Sequence, residues 1–306
     1  MTGGRCGAGR ARENMQTGPP GPPPLDIPPQ WEQAAAAIVA EAPRRILLLG
    51  APDVGKSSFA RFIAERLLAA GRRVALVDGD VGQKDIGPPA TITLGFPRPG
   101  LDEIPPEAIY FAGDTSPAGL FLPMVVGLAR MVGLAGTRTV IVDTTGLIAG
   151  PGRALKPWEI EAVAPQSIVA IARADELSAV LQPLRHLPVI RLRPSPLARR
   201  RSKAARQAAR QAAFRRYFAA AQSLELPLAK LSVQRAPPAA LQPDLLCGIA
   251  DADGFCAGLG IVERVDPDAA RLTLRTPVPP GCIRALQLGR LHVAADGREL
   301  GRILPD

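Results

Sequence analysis

The sequence predicts an α/β fold: a mostly parallel sheet covered by helices, then an arginine-rich helix, then a small β-rich domain at the C-terminus. Three observations carry this. Continuous apolar runs alternate with helix-length amphipathic segments between residues 44 and 194, and strands that are apolar throughout are buried on both faces. A glycine-bracketed loop at 50–57 separates the first apolar run from the first helical segment. Beyond residue 227 the runs become short and alternating, with Asp-Gly and Asp-Pro turn signals, as in an antiparallel sheet.

Taken in order, residues 1–29 are rich in Gly, Pro and Arg and too poor in apolar side chains to bury a core, so they read as a disordered arm. "RRILLLG" (44–50), "RRVALVDGD" (72–80), "AIYFAGD" (108–114), "RTVIVDTTG" (138–146), "SIVAIARAD" (167–175) and "LPVIRLRP" (187–194) are the expected strands. Amphipathic segments at 56–70, 117–135 and 176–184 are expected helices between them. Residues 30–226 form the expected α/β domain, including a basic helix at about 199–223, and residues 227–306 the small β-rich one.

Composition narrows the chemistry. Two histidines, His186 and His292, lie far apart, and the four cysteines show no CxxC spacing, which argues against a zinc site or a Ser-His triad. The most apolar stretch, 118–136, is interrupted by Pro123, Arg130 and four glycines. It reads as a buried core helix, not a membrane span. No apolar leader follows Met1, so a cytoplasmic location is expected. Reaction chemistry must then rest on carboxylates, lysine, arginine and a cation held by oxygen.

Gly50-Ala51-Pro52-Asp53-Val54-Gly55-Lys56-Ser57, followed by Ser58, fits GxxxxGK[ST] between a strand and a helix. In that setting backbone N–H groups and a helix N-terminus wrap an anionic phosphate. Lys56 would neutralise the β- and γ-phosphates and Ser57 would ligate Mg²⁺. This is the signature of a P-loop NTPase. Asp78 and Asp80 end the second strand of the loop-bearing sheet, where a carboxylate can take a proton from an attacking hydroxyl or hold the metal. Asp143 ends a later strand and would support Mg²⁺ through water; Thr144, Thr145 and Gly146 follow it and read equally as lining of an acceptor cleft or as a plain strand-to-loop turn.

Charge is strongly localised. Ten Lys and Arg and no acid fall within residues 191–216, so the rest of the chain sums to about −1 of the total +9. On a helix, Arg199, Lys203, Arg206, Arg210, Phe214 and Tyr217 make one stripe. A stripe with no compensating acids beside a phosphate loop predicts a lid that contacts phosphate, set against the plainer reading of a solvated basic face.

Together "GAPDVGKSS", "DGDVGQKDIGPP", "GDTSP" (113–117), "DTTG" (143–146) and "RSKAARQAARQAAFRRYF" (201–218) resemble the polynucleotide 5′-hydroxyl kinase family, the RNA kinases of mRNA cleavage-factor and pre-rRNA-processing complexes. The resemblance runs from about Trp31 to Val262. It implies transfer of the γ-phosphate of ATP, with Mg²⁺, to the 5′-OH of an RNA or DNA strand. It further implies Asp78 as base for the hydroxyl, with Asp80 and Gln83 beside metal or acceptor. Thr144 and Gly146 would belong to a clasp on the terminal nucleotide, and Arg201, Arg206 and Arg210 to the lid. The helix stripe prefers Arg199 where the resemblance prefers Arg201. Better-known members end the clasp in tryptophan; here the position is Leu147, which cannot stack on a base as an indole does.

Two other classes compete. A P-loop GTPase or metallochaperone also carries "VDTTG", yet "ARAD" (172–175) supplies only the aspartate of a guanine reader. A catalytically idle ATP-binding RNA scaffold is the other, against which the intact Lys56, Ser57, Asp78 and Asp80 argue.

Overall fold

A computed structural model describes residues 26–100 and 103–303. Most of the expected arm at 1–29 lies outside the described residues. Its end does not: helix α1 (Pro29–Glu41) starts with proline at its first turn, where the missing N–H costs nothing. Trp31 on α1 is buried and meets Phe59 edge-on at 5.2 Å, so this helix packs against the one that follows the phosphate loop.

The chain continues through β1 (Arg45–Leu49), α2 (Lys56–Ala69), β2 (Val74–Gly79), β3 (Thr91–Gly95), β4 (Pro106–Phe111), α3 (Phe121–Leu134), β5 (Thr139–Thr144), α4 (Gly152–Val163), β6 (Ser167–Ile171), α5 (Ser178–Leu181) and β7 (Val189–Leu192). Strands β2, β5, β1, β6 and β7 pair in parallel in that order. They carry near-continuous Leu, Ile and Val because helices cover both faces. The six expected strands are all present. Strand β3, "TITLG", was not among them; it pairs antiparallel with β2 and β4. Its threonines blur the apolar run, yet Thr91 and Thr93 are buried and hydrogen-bonded to each other. The 118–136 stretch forms α3, with Met124, Leu128 and Met131 buried. No described helix is long and apolar enough to cross a membrane.

The basic helix is shorter than expected. α6 runs Lys203–Tyr217, Ser202 accepts the Ala205 N–H as its cap, and a 3₁₀ turn follows at Phe218–Ala220. Strands β8 (Gln222–Pro227), β9 (Ser232–Gln234), β10 (Leu245–Ala250), β11 (Cys256–Asp266), β12 (Arg271–Thr276), β13 (Ala285–Val293) and β14 (Glu299–Arg302) complete the chain. The β-rich part therefore opens with β8, inside the range expected for the α/β domain. Its sheet also continues the first one: Cys256 of β11 pairs with Ile109 of β4. Phe214 and Phe218 of the lid segment are buried against Leu246, Leu259, Leu291 and Val293, and Tyr217 Oη accepts the Leu259 N–H at 2.7 Å. One end of α6 is thus anchored in the C-terminal core, while its capped N-terminus lies over the parallel strands' C-terminal edge.

Candidate active site

A cleft of about 750 Å³ opens at that edge, within the range of small-molecule sites. Its walls are the phosphate loop, the loop after β2, the turn after β5, Thr115 and Pro117 beyond β4, and one face of α6 from Arg206 to Arg216. The phosphate loop is held by its neighbours. Asp53 takes a left-handed φ of 58°, a conformation that aspartate tolerates better than most residues. A Cβ on Gly146 would come within 2.5 Å of the Pro52 nitrogen. Gly146 is therefore the residue that lets the turn after β5 lie against the loop.

Lys56 and Ser57 open α2. Lys56 is buried, and its Nζ donates to the Ala51 carbonyl at 3.0 Å. Burial lowers the Lys56 pKa, opposed by Asp143 and Asp80. Ser57 Oγ donates to Asp143 Oδ2 at 2.5 Å. Burial raises Asp143 to about 7, against the pull of Lys56. Its other oxygen, Oδ1, is buried without a hydrogen-bond partner among the described residues. A serine hydroxyl, a carboxylate with an orphaned oxygen and the nearby Asp80 form an oxygen-only donor set, which suits Mg²⁺. No cluster of three or more His, Cys, Asp or Glu among the described residues could hold a metal unaided, as expected where phosphates and water complete the shell.

Asp78 and Asp143 are partners across the parallel β2–β5 pair, but only the loop beyond Asp78 reaches the cleft. Asp78 itself is saturated from within. Its Oδ2 accepts the Asp85 and Ile86 N–H groups at 2.7 and 2.9 Å. Its Oδ1 accepts the Asp80 N–H at 3.1 Å and faces Lys84 Nζ at 3.0 Å. Burial raises its pKa and Lys84 opposes this. The residue expected to act as base instead folds the 80–86 loop, because every lone pair is committed. Asp80 lines the cleft. Its Oδ1 accepts Gly82 and Gln83 N–H groups at 2.9 and 3.0 Å, and its Oδ2 takes no protein donor among the described residues.

Thr144, expected in the clasp, is fully buried, and its hydroxyl donates to the Leu48 carbonyl at 2.8 Å. Thr145, Gly146 and Leu147 line the cleft in its place. Beneath them lies a pair that sequence reasoning missed. Lys156 Nζ, completely buried on α4, donates to the Thr145 carbonyl and to Glu159 Oε2, both at 2.7 Å. Burial raises the Glu159 pKa against the opposing charge of Lys156. An i,i+3 Lys-Glu pair on a helix ordinarily signals an exposed face, so the sequence pattern pointed the wrong way.

Of the lid arginines, Arg201, Arg206 and Arg210 line the cleft. α6 begins at Lys203, so the stripe extends back to neither Arg199 nor Arg201; of the two, Arg201 lines the cleft and Arg199 does not. Arg206 Nη2 donates to Asp53 Oδ2 at 2.7 Å, and the Arg201 backbone N–H reaches the same oxygen at 3.1 Å. Arg201 Nη1 also donates to Gln83 Oε1 at 3.3 Å. Arg210 pairs instead with Glu299. Gly50 and Val54, at the back of the phosphate loop, do not line the cleft, whereas Ala51, Pro52, Asp53, Gly55, Lys56, Ser57 and Ser58 do.

A glycine loop on a helix N-terminus, with lysine, serine and an aspartate from the neighbouring strand, makes this a P-loop protein with an arginine lid. The model of one such family, described as mRNA cleavage and polyadenylation factor CLP1 P-loop, matches residues 50–220, and the chain belongs to that family. A polyribonucleotide 5′-hydroxyl-kinase of Methanocaldococcus jannaschii is 30% identical, over 90% of this chain and 94% of its own. One of Pyrococcus horikoshii is 29% identical over 90% and 93%. Among solved structures, wild-type Clp1p in complex with Pcf11p superposes with a TM-score of 0.65 at 14% identity, covering 84% of this chain and 76% of that one, a likeness of fold.

Proposed function

We propose that this protein is an ATP-dependent polynucleotide 5′-hydroxyl kinase that transfers the γ-phosphate of ATP to the 5′-OH of an RNA strand, in RNA processing and in the cytoplasm. The observation that carries the reading is the convergence of Lys56, Ser57, Asp80 and three lid arginines on one cleft. The relatives named for RNA 5′-hydroxyl phosphorylation, matching over nine-tenths of the chain, support the acceptor.

The loop amides and Lys56 bind the phosphates and offset their charge. Asp80 faces the cleft with an uncommitted oxygen, which takes the proton of the 5′-hydroxyl as the hydroxyl oxygen attacks the γ-phosphorus. The bond to the β–γ bridging oxygen breaks, ADP leaves, and the strand keeps a 5′-phosphate. Arg201 and Arg206 rest on Asp53, a carboxylate at the mouth of the loop. They exchange it for the phosphoryl oxygens when ATP is bound, meeting charge that grows during transfer. Ser57 and Asp143 would hold Mg²⁺, which supplies charge neutralisation on the phosphates. Thr145, Gly146 and Leu147 receive the strand end, with Leu147 offering contact but no stacking.

Label transfer from [γ-³²P]ATP to a 5′-OH oligoribonucleotide, beside the matching DNA and beside GTP as donor, tests this directly. Label on the RNA 5′ end is the expected result. A protein that binds ATP but labels neither strand removes the kinase reading.

A further inference from the structure

Arg210 differs from its two companions on the lid in what holds it. Arg201 and Arg206 lean on a loop aspartate and are 60% and 33% exposed in their side chains, whereas that of Arg210 is 17% exposed. Its Nε and Nη2 donate to Glu299 Oε1 and Oε2 at 2.6 and 2.9 Å. This two-bond fork fixes the plane of the guanidinium as well as its position. Glu299 belongs to β14, the last strand, and has no freedom of its own. Thr115 Oγ1 donates to Glu299 Oε1 at 2.8 Å, and Arg302 Nη2 lies 3.8 Å from Oε2. Arg302 is in turn clamped by Asp114 at 2.8 and 3.1 Å and donates to Thr115 Oγ1 at 2.9 Å. Burial raises the Glu299 pKa, but the Arg210 bonds and charge outweigh it and hold the carboxyl below its ordinary value.

A second contact, independent of this network, ties the same strand to the lid. The β13–β14 turn lies directly on α6. A Cβ on Gly297 would meet the Gln211 carbonyl at 2.6 Å and the Arg215 nitrogen at 2.8 Å. The turn therefore approaches the helix backbone as closely as glycine allows, at φ 85°, and Glu299 follows two residues later. The "GDTSP" segment, the C-terminal hairpin and the lid helix thus meet at one charged junction on the rim of the cleft.

Resting on the kinase reading above, we propose that Glu299 is a positioning residue for phosphoryl transfer: the C-terminal hairpin orients the Arg210 guanidinium toward the cleft. This assigns the β-rich C-terminal part a task in the reaction. An arginine pre-set in its plane loses less freedom when it meets the phosphoryl group than a mobile one does. The benefit falls on turnover, not on strand or ATP binding.

The full-length protein with [γ-³²P]ATP and a 5′-OH oligoribonucleotide provides the test, under single turnover at saturation and in steady state. Glu299→Gln should lower kcat about 10- to 100-fold with both KM values within about threefold. The decisive comparison is the double variant. Arg210→Ala with Glu299→Gln should be no slower than Arg210→Ala alone, because a positioning residue acts only through its partner. If Glu299→Gln does not fold, Glu299→Asp keeps the charge but shortens the reach. It should lower kcat at least threefold at unchanged KM, again with no effect beyond Arg210→Ala. Unchanged or raised kcat in a folded Glu299 variant overturns the proposal, as do losses that multiply in the double variant. A rise in kcat would make the pair a restraint. Failure of the unmodified protein to label RNA overturns the kinase reading and this proposal together, whereas label transfer at an undiminished rate in Glu299→Gln overturns this proposal alone.

Discussion

Asp143→Asn should change how stability depends on pH. Asp143 is 4% exposed; its Oδ2 accepts Ser57 Oγ, and its Oδ1 has no partner among the described residues. Burial lifts its pKa from 3.8 to about 7. Between those values the folded protein keeps the proton and the unfolded chain releases it. Stability of the metal-free protein is then greatest below about pH 4 on this account and falls as pH climbs toward 7. The interval from 3.8 to about 7, at about 1.4 kcal/mol for each pH unit, amounts to about 4 kcal/mol. An amide at this position does not titrate, so Asp143→Asn should gain up to that amount at pH 8 relative to the unmodified protein. Mg²⁺ with ATP should stabilise the unmodified protein and much less so the variant. Urea unfolding in EDTA from pH 5 to 8 measures the first effect, and repetition with Mg·ATP the second. Equal pH slopes in the two proteins would refute the reasoning, since Asp143 would then not change its protonation on unfolding.

Lys56→Ala should leave the fold intact and reduce transfer on the order of 10³-fold or more, by losing a charge matched to the migrating phosphoryl group; near-normal labelling by a folded variant would falsify the assignment. Asp80→Asn should lower kcat about 10²–10⁴-fold with ATP affinity little changed. Asp78→Asn should instead destabilise, since it leaves Lys84 buried without its charge partner, a change that costs about 3–5 kcal/mol; thermal unfolding beside single-turnover rates separates the two carboxylates, and the reverse pattern would return the base to Asp78. Arg206→Ala should slow single-turnover transfer tens- to thousands-fold at saturating strand and ATP. A normal rate with the salt slope of strand affinity lowered by about one would show a backbone grip in place of a lid.

The phosphate loop was legible because its job is done by backbone and by neighbours within eight positions, Gly50 to Ser57. Local spacing suffices for such a device. The parallel strands were legible because burial on both faces writes itself as uninterrupted apolar runs. Strand β3 was not, since its buried Thr91 and Thr93 are satisfied by each other on one face of the strand and by the Pro88 carbonyl, which composition cannot show. The helix stripe reached too far at Arg199 because a periodicity does not say where a helix stops; Ser202, hydrogen-bonded to the Ala205 N–H, does.

Asp78 and Asp80 show where one-dimensional reading ends. Two carboxylates two positions apart are equivalent candidates in sequence, and only the fold distinguishes them. The loop after β2 turns back so that the amides of Asp85 and Ile86 reach Asp78, which leaves Asp80 toward the cleft. The same holds for Thr144 and Thr145, separated by the alternation of a strand end. By itself, then, the sequence determined the sheet, the phosphate loop and the lid's arginines, because each is set by local pattern. Tertiary structure alone decided which carboxylate faces the cleft, that Lys156 and Glu159 lie beneath the turn after β5, and that Glu299 meets Arg210 across 89 positions. Those outcomes depend on which groups are desolvated together, a property of the packed chain and not of any segment of it.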